Sequence, residues 1–504
     1  MTSLTEIHEL EGRYPFSEEE IEILLRCHKA LKDNTGQDSF VMKLAMCSPY
    51  ATFFMPGNEL RRRVDFLENH VLPSGFSSEL RAAISADAFV NYANLGMERS
   101  LERFLEGIAN TGRRGPHEAL RVMYDIICDD GDDNENAASD LIELAFALSV
   151  ASNVLVSPTA TVDQEPNILR RIQNFDSSFM VKSLLQVSDN RDGTTTPLTQ
   201  KMFVEWAEDN MPLLASTLLT FVHRLIFHTR PLPPSRIPYI QPEHYHVSDI
   251  FNHEDSRLFA FGCMTPALAG KWHRLYSSEQ DGRSFNRLEH SILGYGGPTL
   301  MVIRTTGENE ATLGAFMSSP WKESSKFHGD SDSFLFQLEP TLGVYRPVGG
   351  KDENIMYLNP STRHTGSNGL PHGIGFGGSL NKPRLFIPES LDALGHASSL
   401  GFTYQMGNLL PEESLETFEI KVLEIWGVGD DTLVTQALRD RANFRERTDS
   451  AIYKARHISD KTQFVEDLQS GLIPNTLYKH QEDARGRPDF SVDETHDGYK
   501  VDRE

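Results

Sequence analysis

The sequence predicts an α+β protein: an all-α N-terminal half joined to a C-terminal sandwich of mainly antiparallel sheets. Three observations predict it. Before residue 230, apolar residues recur at helical spacing in one segment after another. After residue 271, β-rich runs follow each other through polar or glycine-rich links too short for βαβ crossovers. Between the two lies PLPPSRIPYIQP, with five prolines in the twelve residues 231–242, which cannot continue a helix and marks a boundary. A chain of 504 residues is also too long for one ordinary core.

The helical half begins at Ser17, which with Glu20 three residues on forms a capping box ahead of Ile21, Leu24, Leu25 and Leu31. Further helices are expected at Leu60–Val71, Ser78–Leu95, Leu101–Ala109, Glu118–Cys128, Ala138–Val154, Asn167–Leu185 and Gln200–Phe227. Arg61–Arg63 is expected on a solvated helix face.

In the second half, Trp272, Leu275 and Tyr276 fall at i, i+3 and i+4 and predict a helical turn with one buried face. Thr299–Arg304 and Ala311–Met317 flank a turn containing Gly307 and predict a hairpin. Strands are expected at Ser333–Leu338, Leu342–Val348, Asn354–Asn359, Arg384–Pro388, Phe402–Gln405 and Phe418–Val428. The domain divisions expected are residues 1–230 helical, 231–247 linker, 248–429 sandwich, 430–480 helical extension and 481–504 polar tail.

The chemistry-bearing patterns are sparse. With 48 basic against 72 acidic residues the net charge is −24, which repels phosphate backbones and argues against nucleic-acid binding. Cys27, Cys47, Cys128 and Cys263 show no metal-ligand or CxxC spacing and are expected to be idle thiols. The first residues carry no signal-peptide pattern, and Leu213–Phe227 is interrupted by His223 and Arg224, so a cytoplasmic location is expected. His244, His246, His253 and Glu254 lack a distal ligand set and are expected on a linker surface. Gly373, Gly375 and Gly378 spell GxGxxG, yet Asn381, Pro383 and a β-run follow where a phosphate-binding helix must start, so nucleotide binding is not expected. His328, Asp330, His364 and His372 are polar loop residues for which backbone support is the commoner role. No cofactor is expected, and no GxSxG elbow, HExxH or Walker A loop occurs.

Two loops have some of the composition of calcium chelates, which need oxygen ligands at positions 1, 3, 5 and 12 and glycine at 6. Asp129–Glu135 carries five carboxylates but puts Gly131 at 3 and Asn134 at 6. Setting Gly193 at 6 puts Ser188, Asn190 and Asp192 at 1, 3 and 5, and Thr199 where the bidentate Glu belongs. This half resembles degenerate EF-hand domains that kept the helix packing and lost the chelate.

The order of motifs in the second half resembles the TLDc domain family over roughly residues 248–429. It runs through Trp272, Tyr276, Asp281-Gly282, Gly314 and Phe316, then Gly329, Phe334 and Phe336. Gly375, Gly377 and Gly378 follow, and Leu423-Glu424-Ile425-Trp426-Gly427 closes it. With the helical half in front and a helical tail behind, the layout is similar to TLDc proteins of lysosomes and fungal vacuoles. The resemblance implies two antiparallel sheets flanked by helices, with Trp272, Tyr276, Gly282, Gly314, Phe316, Gly329, Phe334, Phe336, Gly375, Gly377, Gly378, Glu424 and Trp426 as scaffold. It also implies no established catalytic residues, binding to the vacuolar-type proton ATPase at the lysosomal or vacuolar membrane, and resistance to oxidative stress. Thr2 stands where relatives of this layout often have a glycine for myristoylation. Because a C-terminal helix makes the pump contact in the resembled proteins, Leu433, Val434, Leu438, Arg439, Arg441 and Arg445 are the candidate contacts. Residues 437–461 hold seven Lys/Arg against four Asp/Glu, a basic stretch in an acidic chain. A calcium-responsive adaptor and a redox enzyme centred on Cys263 are the alternatives.

Overall fold

The computed structural model describes residues 4–32, 40–47, 57–71, 100–128, 134–156, 165–188, 196–227, 248–251, 255–307, 310–324, 326–349, 354–360, 370–379, 382–401, 403–411 and 416–456. The helix expected at Ser78–Leu95, the proline-rich linker, the four residues of the His244–Glu254 cluster, His364 and everything after Arg456 lie outside these residues.

Eleven helices precede the linker among the described residues. They are α1 (Leu4–Arg13), α2 (Glu18–Lys32), α3 (Phe40–Met46), α4 (Gly57–Phe66, continuing as a π-turn through Val71), α5 (Leu101–Gly112) and α6 (Pro116–Ile127). Then come α7 (Asn134–Val156), α8 (Glu165–Gln173), α9 (Ser178–Ser188), α10 (Gln200–Asn210) and α11 (Ala215–Phe227). The Ser17 capping box is reciprocal: Glu20 N–H donates to Ser17 Oγ at 3.4 Å and Ser17 N–H to Glu20 Oε2 at 3.0 Å. It satisfies two donors that the helix start leaves open. Helix α7 is long and apolar enough to span a bilayer, but most of that stretch is buried, with α11, α9 and α6 packed around it.

Three helical expectations are corrected. Asn167–Leu185 is two helices, because the chain dips at Phe175 to stack its ring on Phe146 at 3.9 Å, and Asp176 N–H donates to Ser256 Oγ. Gln200–Phe227 is also two, meeting at 94° where Pro212 interrupts the run and Leu213 N–H donates to Cys263 O at 2.9 Å. Arg63 is not solvated: it is buried, donating to Glu59 and to Val154 O at 2.9 Å each. Together Arg62 and Arg63 hold the Glu59 carboxyl down at about 2.

The second half starts with α12 (Asp255–Met264), which the sequence reading missed because nine of its ten residues are buried, leaving no amphipathic stripe. Next come β1 (Lys271–Ser277), α13 (Phe285–Ile292), β2 (Thr299–Thr305), β3 (Thr312–Met317), β4 (Phe334–Glu339) and β5 (Gly343–Tyr345). They are followed by β6 (Met356–Asn359), β7 (Gly373–Phe376), β8 (Leu385–Pro388), β9 (Gly395–Ala397), β10 (Thr417–Phe418), β11 (Ile420–Gly429) and α14 (Asp431–Arg456). One sheet has the order β1-β11-β2-β3-β4-β5 and the other β10-β9-β8-β7-β6, every pairing antiparallel. The expected α+β architecture, two antiparallel sheets flanked by helices behind a helical N-terminal half, is the one observed.

The helical turn expected at Lys271–Tyr276 is instead strand β1. A register shift between Arg274 and Tyr276 breaks strict alternation there. Trp272 therefore joins the core on one face of the sheet, while Leu275 and Tyr276 join the core on the other. In the second sheet, Gly373 and Gly375 of the GxGxxG segment lie in strand β7, which is not among the expected strands. Of the run expected at Phe402–Gln405, only an isolated bridge from Tyr404 to Pro347 appears among the described residues.

These elements make three layers. The six-stranded sheet lies in the middle, with the N-terminal helices and α12 on one face and the five-stranded sheet, α13 and α14 on the other. This explains why β2, β3 and β4 are buried at nearly every position instead of alternating. Leu300, Val302, Phe316, Phe334, Phe336, Val422, Trp426 and Val428 share one continuous core with helical residues as distant as Ile7. The halves are stitched further by Arg171 with Asp255 at 3.0 Å and by Leu342 N–H donating to Phe179 O at 3.1 Å.

Candidate docking surface

Most motif residues of the sandwich are spent on holding it together. Trp272 and Trp426 lie with ring centroids 5.9 Å apart, Phe251 packs edge-on to both, and Phe261 bridges Trp272 to Phe336. Phe316 and Phe334 stack at 5.0 Å on the same face. Fully burying side chains of this size contributes about 1.5–3 kcal/mol each. Glu424 points into this face with no exposure. Its carboxylate accepts from Ser248 Oγ at 2.6 Å, Asp249 N–H at 2.8 Å and Trp426 Nε1 at 3.1 Å, fastening the segment that leads into the sandwich. Burial pushes its pKa up, and those three donors only partly offset it.

On the other face Tyr276 donates its hydroxyl to Gly282 O at 2.8 Å. Gly375 lies under the Tyr357 ring, where a Cβ would come within 2.2 Å of Cε1. Gly314 is equally close to Met301 O, and Gly282, Gly329, Gly377 and Gly378 all sit at positive φ in turns. The GxGxxG glycines belong to β7 and the turn after it, and the chain continues into β8, so no helix N-terminus is present to hold a phosphate.

Asp330 and His328 form no acid/base pair. Asp330 accepts from the hydroxyls of Ser318, Ser319 and Ser333 and from Asp332 N–H at 3.1 Å. Burial acts to raise its pKa, and these donors outweigh it and leave it lowered. The His328 ring has no side-chain hydrogen-bond partner, and burial first, then nearby Lys322, brings its pKa down to about 4, with the Lys326 backbone opposing them weakly. His372 is exposed. Cys263 is enclosed completely, and burial pushes its thiol well up, which removes the reactive thiolate a redox centre needs.

Of the two calcium-type loops, residues 129–133 and 189–195 lie outside the described set. At their described ends, Ser188 Oγ donates to Leu185 O at 2.7 Å and Thr199 Oγ1 accepts from Met202 N–H at 3.3 Å as the cap of α10. The positions that would supply ligands 1 and 12 are thus already serving helix ends.

The surface with docking geometry is α14. Asp430 caps it, accepting from Leu433 N–H at 2.8 Å and from the Thr432 hydroxyl, and Lys271 pairs with Asp431 at 2.7 Å. Its first turns sit across the edge of the central sheet. Val434 and Ala437 are buried, Leu433 lies over Gly297 and Gly429, and the Phe444 ring covers Gly294. Small residues at 294, 297, 427 and 429 let the helix and Tyr295 approach this closely. Arg445 donates to His290 O at 3.3 Å. Arg441 is half-buried beside it, and burial together with that like charge draws its pKa down to about 10. Between helix and sheet runs a groove of about 870 Å³ lined by His273, Leu438, Arg441, Arg445, Glu446 and Asp449. Of the candidate contacts, Val434 is committed to the core and Leu438, Arg441 and Arg445 are half-buried. Leu433 and Arg439 are exposed, as is Phe444, which the sequence reading did not select.

The architecture and its motif residues define a class: residues 245–429 match the TLDc domain, and the chain therefore carries one. The chain is similar to the mTOR-associated protein MEAK7 of Xenopus laevis, 35% identical over 162 residues. That alignment covers 32% of this chain and 32% of the relative. The MEAK7 protein of Homo sapiens is 33% identical over 162 residues, covering 32% and 33%. Restriction of telomere capping protein 5 of Pyricularia oryzae is 27% identical over 213 residues, covering 31% and 33%. The match thus spans about a third of the length of each of these relatives.

Proposed function

We propose that the protein is a non-enzymatic adaptor that docks on the soluble sector of the vacuolar-type proton ATPase, at the cytosolic face of a lysosomal or vacuolar membrane. The observation that carries this reading is the one-sided anchorage of α14. A 26-residue helix is pinned through its first turns, while Leu433, Arg439, Phe444 and Arg447 remain on the surface. Exposed aromatic and arginine side chains beside an apolar seat are typical anchors of protein interfaces. The similarity to mTOR-associated proteins supports a role among protein partners.

The test is co-sedimentation of the full chain with the purified soluble sector of the pump. An Arg439→Glu, Arg447→Glu double variant keeps the buried face of α14 intact and is expected to lose binding. Equal binding by wild type and variant would remove α14 from the contact, and no binding by either would remove the partner.

A further inference from the structure

Two guanidiniums in the groove beneath α14 have no carboxylate to hold. Arg441 and Arg445 stand one turn apart on the inner side of the helix, both half-buried. They line the groove of about 870 Å³ together with His273 on β1 and the apolar Leu438 and Ala442. Among the described residues Arg441 has no hydrogen bond and no ion pair. Arg445 has one acceptor, His290 O at 3.3 Å, and its Nε is enclosed without any. In a chain with 72 acidic residues this is a specific omission. Arg62, Arg171 and Arg257, also withdrawn from solvent, each hold a carboxylate at 2.7, 3.0 and 2.8 Å, and buried Arg384 holds the carbonyls of Ser398 and Gly407. We propose that this groove is a phosphate site, in which Arg441 and Arg445 together grip a phosphate monoester carried by a soluble small molecule or by a lipid headgroup.

The chemistry follows from what a guanidinium is and where these two stand. Each keeps its proton well above neutral pH, and its planar fork matches phosphate oxygens in pairs. Burial first, then the adjacent Arg445 charge, draws the Arg441 pKa down only to about 10, so both groups are cations at neutral pH and repel each other across one turn. A dianion between them relieves that repulsion. One fork satisfies a carboxylate, whereas a phosphate monoester has oxygens enough for both arginines. The apolar wall of Leu438 and Ala442 lowers the local dielectric and strengthens the pairing. Three carboxylates oppose an anion here. Glu446 and Asp449 line the same groove and are exposed, and Asp281, in the turn after β1, already accepts from Ser277 N–H at 2.8 Å. None of the three forms an ion pair with either arginine, so the cationic N–H groups stay available. The site is separate from the surface assigned to the pump, because Arg439 and Arg447 are exposed on α14 while Arg441 and Arg445 face the sheet.

The test follows the thermal midpoint of the full chain by circular dichroism as inorganic phosphate rises, with sodium chloride adjusted to hold ionic strength constant. Arg441→Gln is the variant set beside it, since its guanidinium makes no hydrogen bond in the folded chain. Saturable stabilisation of the wild type is expected, with the apparent dissociation constant raised at least about tenfold in the variant. Without phosphate the variant should melt no lower than wild type, because it removes one of two like charges at i and i+4. A packing role for the arginine stem predicts the reverse, a lower midpoint and no response to phosphate. Flotation with phosphatidylcholine vesicles, with and without phosphatidate, identifies the source. Phosphatidate-dependent flotation that Arg441→Gln abolishes assigns the site to a lipid headgroup, and phosphate stabilisation without such flotation assigns it to a soluble ligand. Equal stabilisation by acetate or chloride, an equal response in Arg441→Gln, or binding of neither phosphate nor phosphatidate overturns the proposal.

Discussion

Replacing Glu424 with alanine removes the acceptor of two buried donors, the Ser248 hydroxyl and the Trp426 indole, and of the part-buried Asp249 amide. A buried donor left unsatisfied costs about 1–3 kcal/mol, and partial relaxation of the lead-in segment brings the expected total for Glu424→Ala to about 3–5 kcal/mol. Glu424→Gln keeps one acceptor oxygen and turns an amide toward a donor, so about 1–3 kcal/mol is expected. The pH dependence separates the charge from the contacts. Because burial raises the Glu424 pKa in the folded state, its contribution to stability is fully present below the ordinary value of 4.5. That contribution is lost as pH rises through the raised folded value. The glutamine variant should lack this loss, so the gap between wild type and variant narrows as pH rises through that window. Urea unfolding at several pH values measures both, as a shift in midpoint at constant slope. An alanine variant within 1 kcal/mol of wild type, or a pH profile unchanged by glutamine, would refute the staple.

Three further perturbations probe other parts of the fold. Gly375→Ala sets a methyl against the Tyr357 ring and should destabilise by about 1–3 kcal/mol in thermal melts, with Tyr357→Leu in the same chain restoring much of the loss. Asp330→Asn removes a carboxylate whose pKa is lowered in the folded state. Wild type should lose stability as pH falls through that lowered value, and the variant should lack this loss; acid titration followed by circular dichroism reads the difference. Gly294→Val adds bulk at φ +79 against the Phe444 ring and should loosen the distal part of α14. Faster proteolysis after Phe444 at unchanged overall stability would show it.

The layout of strands was readable because β2, β3, β4 and β11 are long apolar runs separated by short links. The identity of β1 was not, since KWHRLYS places its apolar residues at helical spacing only because a register shift turns Leu275 and Tyr276 to the same side. Helix α12 was invisible for a related reason: an element buried on every side has no stripe for periodicity to find. Pro212 signalled the break between α10 and α11 and was overlooked inside a strong apolar run. The scaffold role of Trp272, Phe336 and Trp426 could be anticipated from their size, but the partners of Glu424 could not. Ser248 and Asp249 lie about 175 residues away in sequence and carry no motif.

The central proposal is docking on the proton pump through α14. The direct measurement is the equilibrium affinity of the full chain for the isolated soluble sector, set beside a chain ending at Gly429 whose fold is verified by circular dichroism. The account predicts saturable binding by the full chain and a loss of at least about tenfold, roughly 1.4 kcal/mol, on removal of the helix. Saturable binding that persists unchanged without the helix would contradict it.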